Sequence, residues 1–138
     1  MLAITIDMDA ATPVYRQIAD EIRALIARGA LNDGAELPSV RRLGGAIGVN
    51  QNTVAKAYRI LADEGLVSMR QGAGARVSVP SQPYRGASVV EDADERRLHD
   101  LISRWVLAGA ERSDVERIFT EALDGFFTTA KGEREAVK

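Results

Sequence analysis

The sequence contains no cysteine and only one histidine, His99. Without cysteine there can be no disulfide and no thiolate nucleophile, which suits a reducing cytoplasm, where we expect the protein to reside. One histidine cannot build a multi-histidine metal site within a single chain, so no metal or other cofactor is expected. No apolar run approaches the roughly 20 residues needed to cross a bilayer, so no membrane partner is expected. The opening residues Met1-Leu2-Ala3-Ile4-Thr5-Ile6-Asp7 lack both a basic start and a long apolar stretch. They do not read as a signal peptide. Catalytic patterns are missing too: Gly44-Gly45 and Gly72-Ala73-Gly74 are too sparse to cradle a phosphate, and no nucleophile–base pair stands out. An enzyme is not expected. Neither an internal repeat nor a low-complexity tract is visible.

What remains is an ordinary globular mixture: 138 residues, 46% hydrophobic and 28% charged. That length suits one domain, or one domain with an appendage. The formal net charge is −2, which looks wrong for a chain that meets polyanions. The average hides a pattern. Residues 38–76 hold Arg41, Arg42, Lys56, Arg59, Arg70 and Arg76 against only Asp63 and Glu64, while the flanks on both sides are net acidic. Local charge, not the total, is what a phosphate backbone encounters.

Periodicity divides the chain into short elements. Ala3 to Ile6 alternates as a short strand would. Thr12-Pro13 reads as a helix start, with threonine at the N-cap and proline at the first helical position. Val14, Ile18, Ile22, Leu25 and Ile26 then mark one face of an amphipathic helix ending near Arg28-Gly29. Asn32-Asp33-Gly34 is a turn. Ser39 is the expected N-cap of a second helix whose inward face is Val40, Leu43 and Ile47. Gly48-Val49 breaks it, and a third helix runs from Asn50 or Gln51 to Glu64, with Val54, Ala57, Tyr58, Leu61 and Ala62 inward. Gly65 closes it.

Two closely spaced helices joined by a glycine-containing turn describe a helix-turn-helix. Leu66 to Met69, a tip at Gln71 to Gly74 and a return over Arg76 to Val79 describe a β-wing behind it. Pro80-Ser81-Gln82-Pro83 is a linker. Beyond it, Asp92 to about Ala108 is a helix with Leu98, Leu101, Ile102, Trp105 and Val106 on one face. Ser113-Asp114-Val115-Glu116 has the form of a capping box for a last helix carrying Ile118, Phe119, Leu123, Phe126 and Phe127. The expected fold is therefore mainly α. A winged helix-turn-helix of three helices plus β-wing occupies 1–79 and a linker 80–90. A two-helix dimerisation region fills 91–130, and a charged, disordered tail 131–138.

The stretch Leu37-Pro38-Ser39-Val40-Arg41-Arg42-Leu43, then Ile47-Gly48-Val49-Asn50-Gln51-Asn52-Thr53-Val54-Ala55-Lys56-Ala57-Tyr58, then Glu64-Gly65-Leu66-Val67 and Gly72-Ala73-Gly74, resembles the DNA-binding domain of the GntR family of transcription regulators. The wording Asn52-Thr53-Val54-Ala55-Lys56-Ala57-Tyr58, together with the short helical tail, is most similar to the YtrA subfamily. The resemblance implies a DNA-binding regulator, and it implies a base or phosphate contact for Arg41.

The residues themselves support that chemistry. In a helix-turn-helix, the first turn of the second helix meets base edges in the major groove. Here that turn is Asn50-Gln51-Asn52-Thr53. Asparagine and glutamine amides can pair bidentately with adenine, and threonine offers a hydroxyl and a methyl. Asn50 is as readily read as the helix cap. Arg42 points about 100° away from Arg41 around its helix and reads, with Ser39, as a phosphate-side residue. Lys56 and Arg59, one turn apart, face phosphates or solvent. In the wing, Arg70, Gln71, Gly72 and Gly74 are the candidate contacts, with Arg76 adding polarity. Ala73 stands where relatives usually carry a basic residue, and Ala55 where longer-tailed relatives often carry arginine.

A lone hairpin of about 40 residues rarely makes its own core, so Leu98, Leu101, Ile102, Trp105, Ile118, Phe119, Leu123 and Phe126 are the expected dimerisation surface. The expected function is a homodimeric repressor on a pseudo-palindromic operator of double-stranded DNA. The rival is a winged-helix adaptor that binds protein instead, for which apolar residues would be expected at the recognition turn. Any small-molecule effector would need a small cavity between the winged domain and the tail or at the dimer interface, because the chain after the linker is too short for a sensing or aminotransferase-like domain.

Overall fold

The computed structural model describes residues 2–70, 74–79 and 91–136, with side chains of the last helix described to Phe127. It divides into two compact units, Met1–Ser81 and Gln82–Lys138. The first holds α1 (Val14–Ala27), β1 (Glu36–Leu37), α2 (Val40–Ile47), α3 (Gln51–Asp63), β2 (Val67–Arg70) and β3 (Gly74–Val77). The second holds α4 (Asp92–Leu107) and α5 (Arg112–Ala136). The expected linker, 80–90, falls outside the described residues.

In the first unit the apolar faces read from the sequence meet in one core. Ile18, Ala19 and Ile22 from α1, Leu43 from α2, and Val54, Ala57, Tyr58 and Leu61 from α3 are buried together with Leu37, Val67, Ala75 and Val77 from the sheet. Burying each large aliphatic side chain stabilises the fold by about 1.5–3 kcal/mol relative to leaving it in water. Ala62, expected inward, is only half-buried. The wing is wider than expected. Its strand order is β1-β3-β2, fully antiparallel, with Val67 opposite Val77 and Glu36 opposite Arg76. The two-residue β1 had no sequence signal of its own, because its only reason to be extended is the ladder on β3, some forty residues away.

Four expectations shift. Leu2, Ile4 and Ile6 do alternate inward against the core, but they form no ladder, and the segment is extended chain rather than a strand. Gln17 ties down the turn between this segment and α1. Its side-chain oxygen accepts from the Asp7 N–H (2.9 Å) and its amide donates to the Asp7 and Thr12 carbonyls (both 2.9 Å). Thr12 thus lends a carbonyl to that clasp, while the residue at the N-cap of α1 is Pro13, with no side-chain cap. In the second unit, α5 begins at Arg112, so Ser113 lies inside the helix. The carboxylate of Asp114 reaches back to the Glu111 N–H (2.8 Å), and at the head of α4 Asp94 does the same for Glu91 (3.4 Å). Both helices therefore open on Glu-x-x-Asp, which in α5 starts two residues ahead of the serine that looked like the cap. The helix α5 also continues to Ala136, through most of the segment expected to be a disordered tail.

The turn between α2 and α3 carries the tightest backbone approach. Gly48 takes a left-handed φ of 71° as the cap of α2, a conformation glycine adopts without cost. One turn earlier, a Cβ added at Gly44 would lie 2.5 Å from the Val49 carbonyl oxygen and 3.3 Å from the Gln51 nitrogen. Both obstacles are backbone and cannot swing aside. We expect Gly44→Ala to destabilise the domain by about 1–3 kcal/mol, the usual cost of overpacking. Gly45→Ala, which meets nothing within 4 Å, should be neutral or slightly stabilising. Urea denaturation of the two variants checks the contrast.

Candidate nucleic-acid interface

Two side-chain caps set the interface. Ser39 Oγ accepts the Arg42 N–H (3.1 Å) and starts α2, which leaves Arg41 and Arg42 exposed in its first turn. Asn50 Oδ1 accepts the Asn52 N–H (2.8 Å) and starts α3. Asn50 is therefore engaged as the cap, its amide oxygen committed to the helix. Gln51 and Asn52 are exposed at the helix start and Thr53 is half-buried. Further along, Lys56 and Arg59 are exposed four and seven residues after Asn52. That spacing puts all three on one outward stripe, turned away from the buried Val54, Ala57, Tyr58 and Leu61.

Three contacts hold this stripe in place. The Tyr58 hydroxyl donates to the Pro38 carbonyl at 2.7 Å, linking the middle of α3 to the start of α2. The ring is 1% exposed, and burial pushes the hydroxyl pKa well above its ordinary value. At the other end of α3, the Arg23 guanidinium of α1 donates to both Glu64 oxygens (2.9 and 2.6 Å) and to Asp20 (2.8 Å). Its pKa is raised, chiefly by the hydrogen bond to Glu64. Finally, the Lys56 ammonium lies 3.9 Å from the centroid of the Tyr15 ring on α1. The pairings of Tyr58 with Pro38, of Arg23 with Glu64 and of Lys56 with Tyr15 join residues 20 or more apart in the chain, so none was visible in the sequence.

The charge on this surface is left uncompensated. Arg23, Arg76, Arg97, Arg112 and Arg117 each have a carboxylate partner. Among the described residues, Arg41, Arg42, Lys56, Arg59 and Arg70 have none. Arg76, expected to add polarity to the wing, pairs with Glu36 across β1 and β3 at 3.0 Å. Arg70 is exposed, and Gly74, its register partner at the tip of the wing, has a φ of 78°. Gln71, Gly72 and Ala73 lie outside the described residues.

The predicted dimerisation residues sit on the second unit. Trp105 and Phe119 pack edge-to-face across the hairpin, centroids 6.2 Å apart. Leu101, Ile102, Trp105, Phe119 and Phe126 are half-buried, and Leu98, Ile118 and Leu123 are exposed.

The profile of bacterial regulatory proteins of the gntR family matches residues 14–77. Along most of its length the chain is 37% identical to the HTH-type transcriptional regulator Rv1152 of Mycobacterium tuberculosis, over 88% of this chain and 94% of that one. The chain belongs to the GntR family. It is 41% identical over 75 residues to the HTH-type transcriptional repressor YtrA of Bacillus subtilis, a match covering 54% of this chain and 58% of YtrA. Among solved structures, the GntR-family transcription factor YtrA of Sulfolobus acidocaldarius has a TM-score of 0.53 at 38% identity, over 77% of this chain and 98% of that one. The DNA-binding domain of AraR in complex with operator ORX1 has a TM-score of 0.50 at 28% identity, over 56% of this chain and 96% of that one.

Because Tyr58 is held protonated by burial, its linkage to folding has a definite sign. Below its ordinary value of 10.0 the hydroxyl is protonated folded and unfolded, and the contribution is intact. As pH rises above 10 the unfolded chain ionises first, and stability is lost up to the raised folded pKa. We expect Tyr58→Phe to flatten this alkaline decline while costing about 1 kcal/mol at neutral pH through the lost hydrogen bond. Denaturation midpoints between pH 7 and 11 check both.

Proposed function

We propose that this GntR-family chain is a cytoplasmic, sequence-specific transcription regulator: a homodimeric repressor that lays one α3 per subunit in successive major grooves of a pseudo-palindromic operator. The observation that carries the reading is the set of cations on α2, α3 and the wing strand without carboxylate partners among the described residues, beside a recognition turn of neutral amides. Such a surface matches a duplex, whose phosphates take the cations and whose base edges take the amides. The operator-bound neighbour supports the same reading for this fold. Gln51 and Asn52 are the base readers, with Arg41 beside them. Arg42, Lys56, Arg59 and Arg70 grip phosphate, Ser39 and Asn50 hold the helix starts in register, and Thr53 offers its hydroxyl and methyl to the duplex. Gln71, Gly72 and Gly74 are the remaining proposed DNA contacts.

The dimer rests on the second unit. No residue of α4 is buried, and Ile118, Leu123 and Phe127 are 39%, 53% and 69% exposed. Apolar stripes of this kind are covered when two hairpins pack about a two-fold axis, which also matches the symmetry of a palindromic site.

Arg41→Ala and Gln51→Ala should each cost about 1–3 kcal/mol of operator affinity. A gel shift on the upstream region of the protein's own gene measures this. Wild-type affinity in both would remove the base-reading assignment, and binding without sequence preference would favour the protein-interaction adaptor. For the dimer, Ile118→Asp and Leu123→Asp should yield monomers in sedimentation. An unchanged dimer mass would count against the hairpin interface.

A further inference from the structure

Among the described residues, Lys56 is the one cation on the outward stripe of α3 that is held by another side chain. Its ammonium sits 3.9 Å from the Tyr15 ring centroid, well within the reach of a cation–π attraction. A lysine on a helix surface otherwise samples many rotamers, and fixing it against a phosphate costs side-chain entropy of up to about 2 kcal/mol. The ring lies in the first turn of α1, and α1 packs directly against α3. It therefore biases Lys56 toward one side of the stripe before any DNA arrives. The ring face attracts the ammonium but supplies no hydrogen-bond acceptor and no negative charge, so all three N–H donors remain to be satisfied. A carboxylate at the same place would neutralise the lysine, as Glu36 neutralises Arg76.

We propose that Tyr15 is a positioning residue for DNA binding: its ring pre-orients the Lys56 ammonium as a phosphate contact while leaving its charge available. The role rests on the DNA-binding reading above. Tyr15 is half-buried and lies outside the helix-turn-helix, which is why the sequence drew no attention to it. The ring is the working part; the hydroxyl is dispensable.

The test uses the full chain. Affinity for a fluorescent duplex is followed by anisotropy over a range of KCl concentrations, and the Lys56 side-chain methylene protons of the free protein are followed by NMR. In the wild type and Tyr15→Phe those protons should carry the upfield shift of an adjacent ring, and both proteins should bind alike. Tyr15→Leu should lose that shift, bind about two- to fivefold more weakly and lower the slope of log K against log salt toward that of Lys56→Met. The slope of Lys56→Met should itself fall by roughly 0.9 per chain, the signature of one lost phosphate contact. The double variant should be no worse than Lys56→Met alone. Melting temperatures accompany each measurement, and Tyr15→Met, which keeps apolar bulk without a ring, replaces Tyr15→Leu should that variant unfold. A wild-type protein that binds duplex while Tyr15→Leu or Tyr15→Met keeps its affinity and slope overturns the role of Tyr15 alone. Failure of Tyr15→Phe to retain binding overturns it as well. A wild-type protein that binds no duplex at all, with the ring shift still present, overturns the DNA-binding reading and this role with it.

Discussion

The close approach of the Gly44 α-carbon to the Val49 carbonyl is the constraint on which the winged domain depends. With no side chain at that point, α2 can fold back against the stretch of backbone that launches α3. In that arrangement the Tyr58 hydroxyl donates to the Pro38 carbonyl, and the helix starts capped by Ser39 and Asn50 present their first turns to solvent. The turn is built from absent atoms at Gly44 and from a left-handed φ at Gly48, two different uses of the same residue type. Gly45 has neither role, so the pair Gly44-Gly45 is not a flexible loop but one obligatory glycine beside a replaceable one.

Much of this was legible because it is local. Helix spans follow from a 3.6-residue period, and Ser39, Asn50 and Gly48 announce α2 and α3 through chemistry acting within three or four residues. The illegible part depends on distant partners. Strand β1 exists because β3 offers it a ladder. The pairings of Arg76 with Glu36 and of Lys56 with Tyr15 likewise join residues about forty positions apart. The capping error at Ser113 has another cause. Serine is a strong cap, but here its neighbour Asp114 reaches back to the amide of Glu111, as Asp94 does to that of Glu91, so the frame moved by two residues.

The acidic total of the chain and its cationic reading surface are compatible because the charges are sorted. Arg97, Arg112 and Arg117 are partnered within their own helices, and Arg23 is partnered with Glu64 across the first unit. A surface pair of this kind contributes little to stability, commonly below about 1 kcal/mol. On the proposed function, discrimination falls to the amides of Gln51 and Asn52.

In the dimer proposed above, the α4–α5 hairpin, with no buried residue in α4, has a consequence for the living cell. A hairpin whose apolar faces are covered by a second chain has a folding equilibrium that includes protein concentration. Synthesis rate then sets more than how many sites are filled. Below a threshold abundance the assembled form dissociates, and occupancy falls more steeply than dilution alone would give. Gene dosage, on this architecture, becomes an input to the switch.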